Sequence, residues 1–143
     1  MSCYELFIVD IFVAIEKTKE YIKGFDDKEE FRQDSLHWDA TIRQLEIIGE
    51  ALNKLLENES FSKLSPKYFR KIVNFRNVIA HGYFGIDIDE VWNVLTQKLD
   101  MLNDDLKEIV QNNIDLSTAI KSEINEYEKL KDFTIVNFLK SIK

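Results

Sequence analysis

Apolar residues recur along the chain at spacings of three and four, and the breaks between these runs divide it into five or six helices. The first covers about residues 2–23 and stops at Gly24, a residue type that accepts positive φ at a helix end. Its apolar positions, Leu6, Phe7, Ile8, Val9, Ile11, Phe12, Val13 and Ile15, are too many to face one neighbour. A helix that is hydrophobic nearly all round is central in its bundle or buried at a subunit interface. A short acidic helix follows over about 27–32. The third, over about 35–58, repeats Trp38, Ile42, Leu45, Ile48, Leu52 and Leu55 or Leu56. Gly49 inside it costs about 1 kcal/mol relative to alanine, which points to a close approach by another helix.

The fourth helix is expected to start at "SPKYF", with Ser65 as cap and Pro66 in the first turn, and to end near His81 with Gly82 just beyond. Asp87 or Asp89 begins the fifth, and Asp87 and Glu90 have the spacing of a capping box. Its stripe is Ile88, Val91, Trp92, Leu95, Leu99, Leu102, Leu106 and Ile109. The sixth runs over about 117–142, and its spacing breaks at 132–134, as a kink or a division into two pieces requires. No stretch alternates as a strand does. The expected fold is all-α, a mostly antiparallel bundle with short loops. It divides into a helical domain over 1–111 and a helical extension over 112–143.

Composition narrows the possibilities. Four glycines and one proline suit a helical chain, and one cysteine, Cys3, rules out an internal disulfide or a cysteine-based zinc site. The run "LFIVDIFVAI" is too short to span a bilayer and carries Asp10 in its middle. Neither a basic segment before it nor a cleavage site after it suggests a signal peptide, so a cytoplasmic protein is expected. A net charge of −7 argues against broad binding of polyanions. The distribution qualifies this. Residues 60–86 hold no acidic residue but carry Lys63, Lys67, Arg70, Lys71 and Arg76.

Inside that basic segment lies "FRNVIAHGYFG", which gathers Arg76, Asn77, His81 and Tyr83. On a helix at about 100° per residue, Phe69, Ile72, Val73, Ile79 and Ala80 share one face, and Arg76 falls in the middle of it. A guanidinium stripped of water needs hydrogen bonds or a counter-charge. Arg76 must therefore reach a buried carboxylate, or the stripe must open onto a cleft or a subunit interface. His81 lies about 140° around an ideal helix from Arg76. The two meet only if the helix end distorts or if two copies combine across a two-fold axis, the first helix then supplying the contact. Asn77 and His81, four apart, share a face, so an amide can orient the imidazole. Taken singly, His81 reads as a helix cap and Tyr83 as packing. His37, Asp26, Asp27 and Glu29 form no spaced metal motif, and no phosphate-cradling glycine loop or nucleophile elbow is present.

"RNVIAHGYFGID", residues 76–87, resembles the Arg-x4-His-x-Tyr signature of the HepT-like branch of the HEPN superfamily. "DIFVAIEKTKEYIKG" at 10–24 and "RQLEIIGEALNKL" at 43–55 are similar to that family's first and third helices. The likeness spans about residues 5–110. It implies a small helical homodimer, the toxin of a two-gene toxin–antitoxin module. It also implies an endoribonuclease that needs neither metal nor cofactor, with Arg76 and His81 as its catalytic pair. The implied partner is an MNT-type nucleotidyltransferase that silences the toxin by transferring AMP to the motif tyrosine, here Tyr83, in a complex that can be a larger hetero-oligomer. Asn77 would support the histidine or bind a phosphate oxygen, while Lys67, Arg70 and Lys71 would guide the RNA backbone. The competing reading is a non-catalytic helical subunit that binds the nucleotidyltransferase or its nucleotide substrate.

Overall fold

A computed structural model describes residues 3–81 and 85–142, with the side chains of residues 3, 80 and 81 outside the description. All regular structure among the described residues is helical: α1 (Cys3–Ile22), α2 (Lys28–Gln33), α3 (Ser35–Leu56), α4 (Glu59–Leu64), α5 (Tyr68–His81), α6 (Ile88–Asn93), α7 (Leu99–Asn113), α8 (Ser117–Lys129) and α9 (Phe133–Ser141). One π-helical turn, Val94–Lys98, joins α6 to α7, so the long fifth helix expected from the sequence is a single rod with an irregular middle.

α1 is the centre of the bundle. Ile8, Val9, Ile11, Phe12, Val13, Ala14 and Ile15 are all buried, which requires cover on every side. α3 supplies most of it, and α7, α8 and α9 the rest. Most of the apolar girth of α1 is therefore covered within one chain, with Leu6 and Phe7 left partly buried. Leu116, Ala119, Ile120, Ile135 and Leu139 of the extension belong to the same core as α1, so burial of these residues ties the segment after residue 112 to the bundle. No helix among the described residues is long and apolar enough to cross a membrane.

Local signals explain the boundaries. Asp34 caps α3 by accepting from the His37 N–H at 3.0 Å, and Asp87 caps α6 by accepting from Asp89 N–H at 2.9 Å. The Asp87–Glu90 spacing thus marks the start correctly, with the bond going to the second residue of the helix. Asn58 ends the reach of α3 and opens α4, a helix the periodicity does not reveal, by accepting from Phe61 N–H at 3.0 Å. Ser65 belongs to the end of α4, not to the start of α5. Its hydroxyl donates to the Phe61 carbonyl at 2.7 Å, so it is spent on the helix behind it. Gly24 follows α1 without positive φ. The break in the C-terminal pattern is a true division. Lys131 takes a left-handed φ of 57°, its N–H bonds to Glu128 O, and Asp132 N–H bonds to Tyr127 O, closing α8 in a Schellman motif. Asp132 then caps α9 by accepting from Ile135 N–H at 3.2 Å.

Candidate functional site

α5 places the sequence motif against α3. Phe69, Ile72, Val73 and Ile79 are buried as the spacing predicts, and Phe75 joins them. The helix continues through residue 81. Its start is anchored by Tyr68, whose hydroxyl donates to an Asp105 carboxylate oxygen on α7. Burial, reinforced by that carboxylate, pushes the Tyr68 hydroxyl well above its ordinary range, so it remains a protonated donor.

Arg76 lies half-buried within the apolar stripe. Its stem rests on α3 at Gly49, where an added Cβ would stand 2.2 Å from Arg76 Cβ and 2.6 Å from its Cγ. No larger residue fits without displacing the arginine, which is why a helix-weakening glycine sits in mid-α3. The guanidinium Nη1 donates to Asn77 Oδ1 at 3.2 Å, while Nε is buried without a hydrogen-bond partner. None of the ion pairs among the described residues involves Arg76. Of the two outcomes open to a buried arginine, the structure takes the second. The stripe opens onto a cleft of about 190 Å³ lined by Glu50, Asn53, Lys54, Val73, Arg76 and Asn77.

The other sequence-predicted residues are distributed unevenly around this cleft. Asn77 lines it and is bonded to Arg76, which gives its amide oxygen a partner other than His81. The His81 side chain and all of Tyr83 lie outside the described residues. Residue 81 itself is on the regular end of α5, about 140° around from Arg76. Lys67, Arg70 and Lys71 are exposed, and Lys71 lines a different cleft of about 260 Å³ with Ile72, Asn74, Phe75, Val78, Glu90, Val94 and Lys98. The first cleft instead takes Glu50, Asn53 and Lys54 from α3, residues that reading α5 alone does not find. Gly49 carried the signal for Asn53, which lies four residues after the helix-crossing glycine and shares its face.

His37 has a structural task. Its Nδ1 is 2.9 Å from Asp34 Oδ1, and its ring meets Phe25 edge-on. The Asp34 carboxyl is held below the usual carboxylate range, first by the His37 backbone N–H and then by the ring. Among the described residues, no three or more His, Cys, Asp or Glu side chains gather where they could hold a metal ion.

Comparison with known proteins follows the same residues. The family described as HepT-like, "Ribonuclease HepT-like", matches residues 11–112. "Putative RNase TTE0752" of Caldanaerobacter subterraneus subsp. tengcongensis is 35% identical over 92 residues, covering 64% of this chain and 80% of that protein. "Probable ribonuclease HepT" of Thermococcus cleftensis is 34% identical over 99 residues, covering 67% of this chain and 86% of that protein. A longer relative, "Gamma-glutamylcyclotransferase and putative RNase MJ0434" of Methanocaldococcus jannaschii, is 29% identical over 107 residues. The match takes in 75% of this chain but spans only 47% of that protein. No solved structure matches the chain.

Proposed function

The chain belongs to the HepT-like ribonuclease family, and from that premise we propose that it is a metal-independent endoribonuclease with Arg76 and His81 as its catalytic pair. The observation that carries this reading is the state of Arg76. A permanently charged group, its Nε buried and unpartnered, is answered among the described residues by a neutral amide and opens onto a cleft. A guanidinium in that state is suited to an anion from outside the fold, and a phosphodiester is the anion that RNA presents.

The reaction uses the substrate's own nucleophile. The ribose 2′-oxygen bonds to the adjacent phosphorus, the 5′-oxygen leaves, and the products are a 2′,3′-cyclic phosphate and a 5′-hydroxyl. His81 exchanges the proton, a task suited to a group that titrates near neutrality. Arg76 stabilises the charge that builds on the non-bridging oxygens. Asn77, bonded to Arg76, holds the guanidinium or binds a phosphate oxygen. Lys67, Arg70 and Lys71, exposed on the acid-free segment, guide the RNA backbone towards the cleft.

We also place the protein as the toxin of a toxin–antitoxin pair, acting in the cytoplasm. An MNT-type nucleotidyltransferase silences it by joining the Tyr83 oxygen to the α-phosphorus of ATP, with pyrophosphate leaving. Two residues beyond His81, the added nucleotide brings bulk and negative charge to the site. Residues 1–111 form the family domain, and 112–143 are an addition to it.

The test is His81→Ala, assayed on RNA in the presence of a chelator and in cells for growth arrest. The variant is expected to remain folded and to lose both activities. Full activity in the metal-free assay would sink the mechanism. A wild-type protein that binds the nucleotidyltransferase yet cuts no RNA would favour a non-catalytic subunit.

A further inference from the structure

We infer that α3 supplies the second wall of the phosphate site: Asn53 and Lys54 contact the same phosphodiester as Arg76. This rests on the RNA-cleaving reading above and adds residues to its site. The donors of the cleft are Arg76 and Asn77 from α5 and Asn53 and Lys54 from α3, whereas Lys67, Arg70 and Lys71 do not line it. Among the described lining residues, the donors that join Arg76 and Asn77 at the cleft are thus on the neighbouring helix and not on the exposed basic positions of α5.

The two walls are held in a fixed relation. Gly49 and Arg76 pack carbon against carbon, and Asn53 and Lys54 follow Gly49 by about one helical turn. A site built on two helices in backbone contact keeps its geometry better than one built on loops. Charge agrees as well. Arg76 and Lys54 each bring one positive charge and Glu50 one negative charge, and Glu50 and Lys54 form no ion pair with each other despite their i, i+4 spacing. The described lining residues therefore carry one net positive charge, which matches one phosphodiester. Its volume of about 190 Å³ leaves room for that group and bridging water, since one water takes about 30 Å³.

The division of labour follows from donor chemistry. The Arg76 guanidinium is planar and pinned by Gly49 and Asn77, so it sets the position of the phosphate. Lys54 is a point charge on a flexible stem and can follow the charge as it grows on the non-bridging oxygens. The Asn53 amide donates without adding charge, so it contributes orientation alone.

Binding of a short 2′-O-methyl RNA, which keeps the phosphodiesters but cannot be cleaved by 2′-OH attack, tests this. Lys54→Ala is expected to weaken binding by about tenfold and to flatten the dependence of log Kd on log salt by about 0.7, the value for one phosphate contact on a single strand. Asn53→Ala should lose about threefold with its salt slope unchanged, because no charge is removed. Lys54→Arg should retain the wild-type slope, and Lys121→Ala on α8 should leave both affinity and slope unchanged. If Lys54→Ala and Asn53→Ala bind like wild type while Arg76→Ala is impaired, the second wall is overturned and the RNA reading stands. Wild-type protein that neither binds nor cuts RNA overturns both.

Discussion

Arg76 is held by carbon before it is held by hydrogen bonds. Its Cβ and Cγ occupy the space that a side chain at position 49 would fill, and only then does Asn77 fix the guanidinium. Gly49→Ala therefore tests packing and function together. Overpacking at a helix crossing costs about 1–3 kcal/mol, and here the group that must move is the one proposed to bind phosphate. The variant should unfold at lower denaturant concentration and lose RNA affinity further than its stability loss explains. Wild-type affinity in the folded variant would show that Arg76 tolerates displacement. Gly49 as a close approach and Arg76 as an arginine in an apolar stripe are both legible in the sequence, but not that the two touch. Periodicity describes one helix at a time, and the residues facing Arg76 belong to another.

At the scale of elements, the joint between α1 and the C-terminal helices carries an unusual electrostatic load. Asp10 sits in the middle of the apolar run of α1, and burial raises its carboxyl above the usual range, an effect Lys17 partly offsets. Glu123 of α8 is raised in turn by burial, then by Asp10 and Glu126, with Lys17 again opposing. A carboxyl whose folded pKa is raised contributes stability below its unfolded pKa and loses it as pH rises through the folded value. Asp10→Asn, which mimics the protonated form, should raise the thermal midpoint by about 1–3 °C at pH 7 and change it little near pH 3. The modest size reflects solvent screening of a partly exposed group. A midpoint that rises equally at both pH values would assign the effect to packing instead. Ser65 teaches a related lesson about elements: one hydroxyl between two helices can serve either. The short α4, whose two apolar residues Phe61 and Leu64 make no repeating pattern, claimed it.

At the scale of the molecule, the girth of α1 leaves only a small apolar surface for a second copy. Most of the girth is covered by α3, α7, α8 and α9, with Tyr4, Leu6, Phe7 and Ile22 partly buried. α5 offers a place: Val78 lies between Arg76 and His81 and is 52% exposed despite being apolar. Because α5 stays helical to residue 81, positions 76 and 81 diverge by about 140° within one chain, which supports a site shared across a two-fold axis. A shared site makes a quantitative demand. Arg76→Ala and His81→Ala proteins, each inactive, should recover about a quarter of wild-type RNase activity when unfolded and refolded together. Half of the dimers are then mixed, and each mixed dimer has one intact site. No recovery, with mixed dimers demonstrated, would place both residues in one chain's site.

Several properties follow from the sequence by itself. The helices and most of their ends are readable because each is set locally, by spacing of three and four and by caps such as Asp87. The motif, its acid-free surroundings and its family resemblance are likewise one-dimensional patterns. Tertiary structure alone decided which surfaces meet. It covered most of α1 within its own chain, gave Asn77 to Arg76, led Lys71 into a different cleft and brought Glu50, Asn53 and Lys54 to the motif. The physical reason is that burial and pairing depend on contacts between residues far apart in the chain. A pattern fixes which face of a helix is apolar, but only packing determines what that face meets.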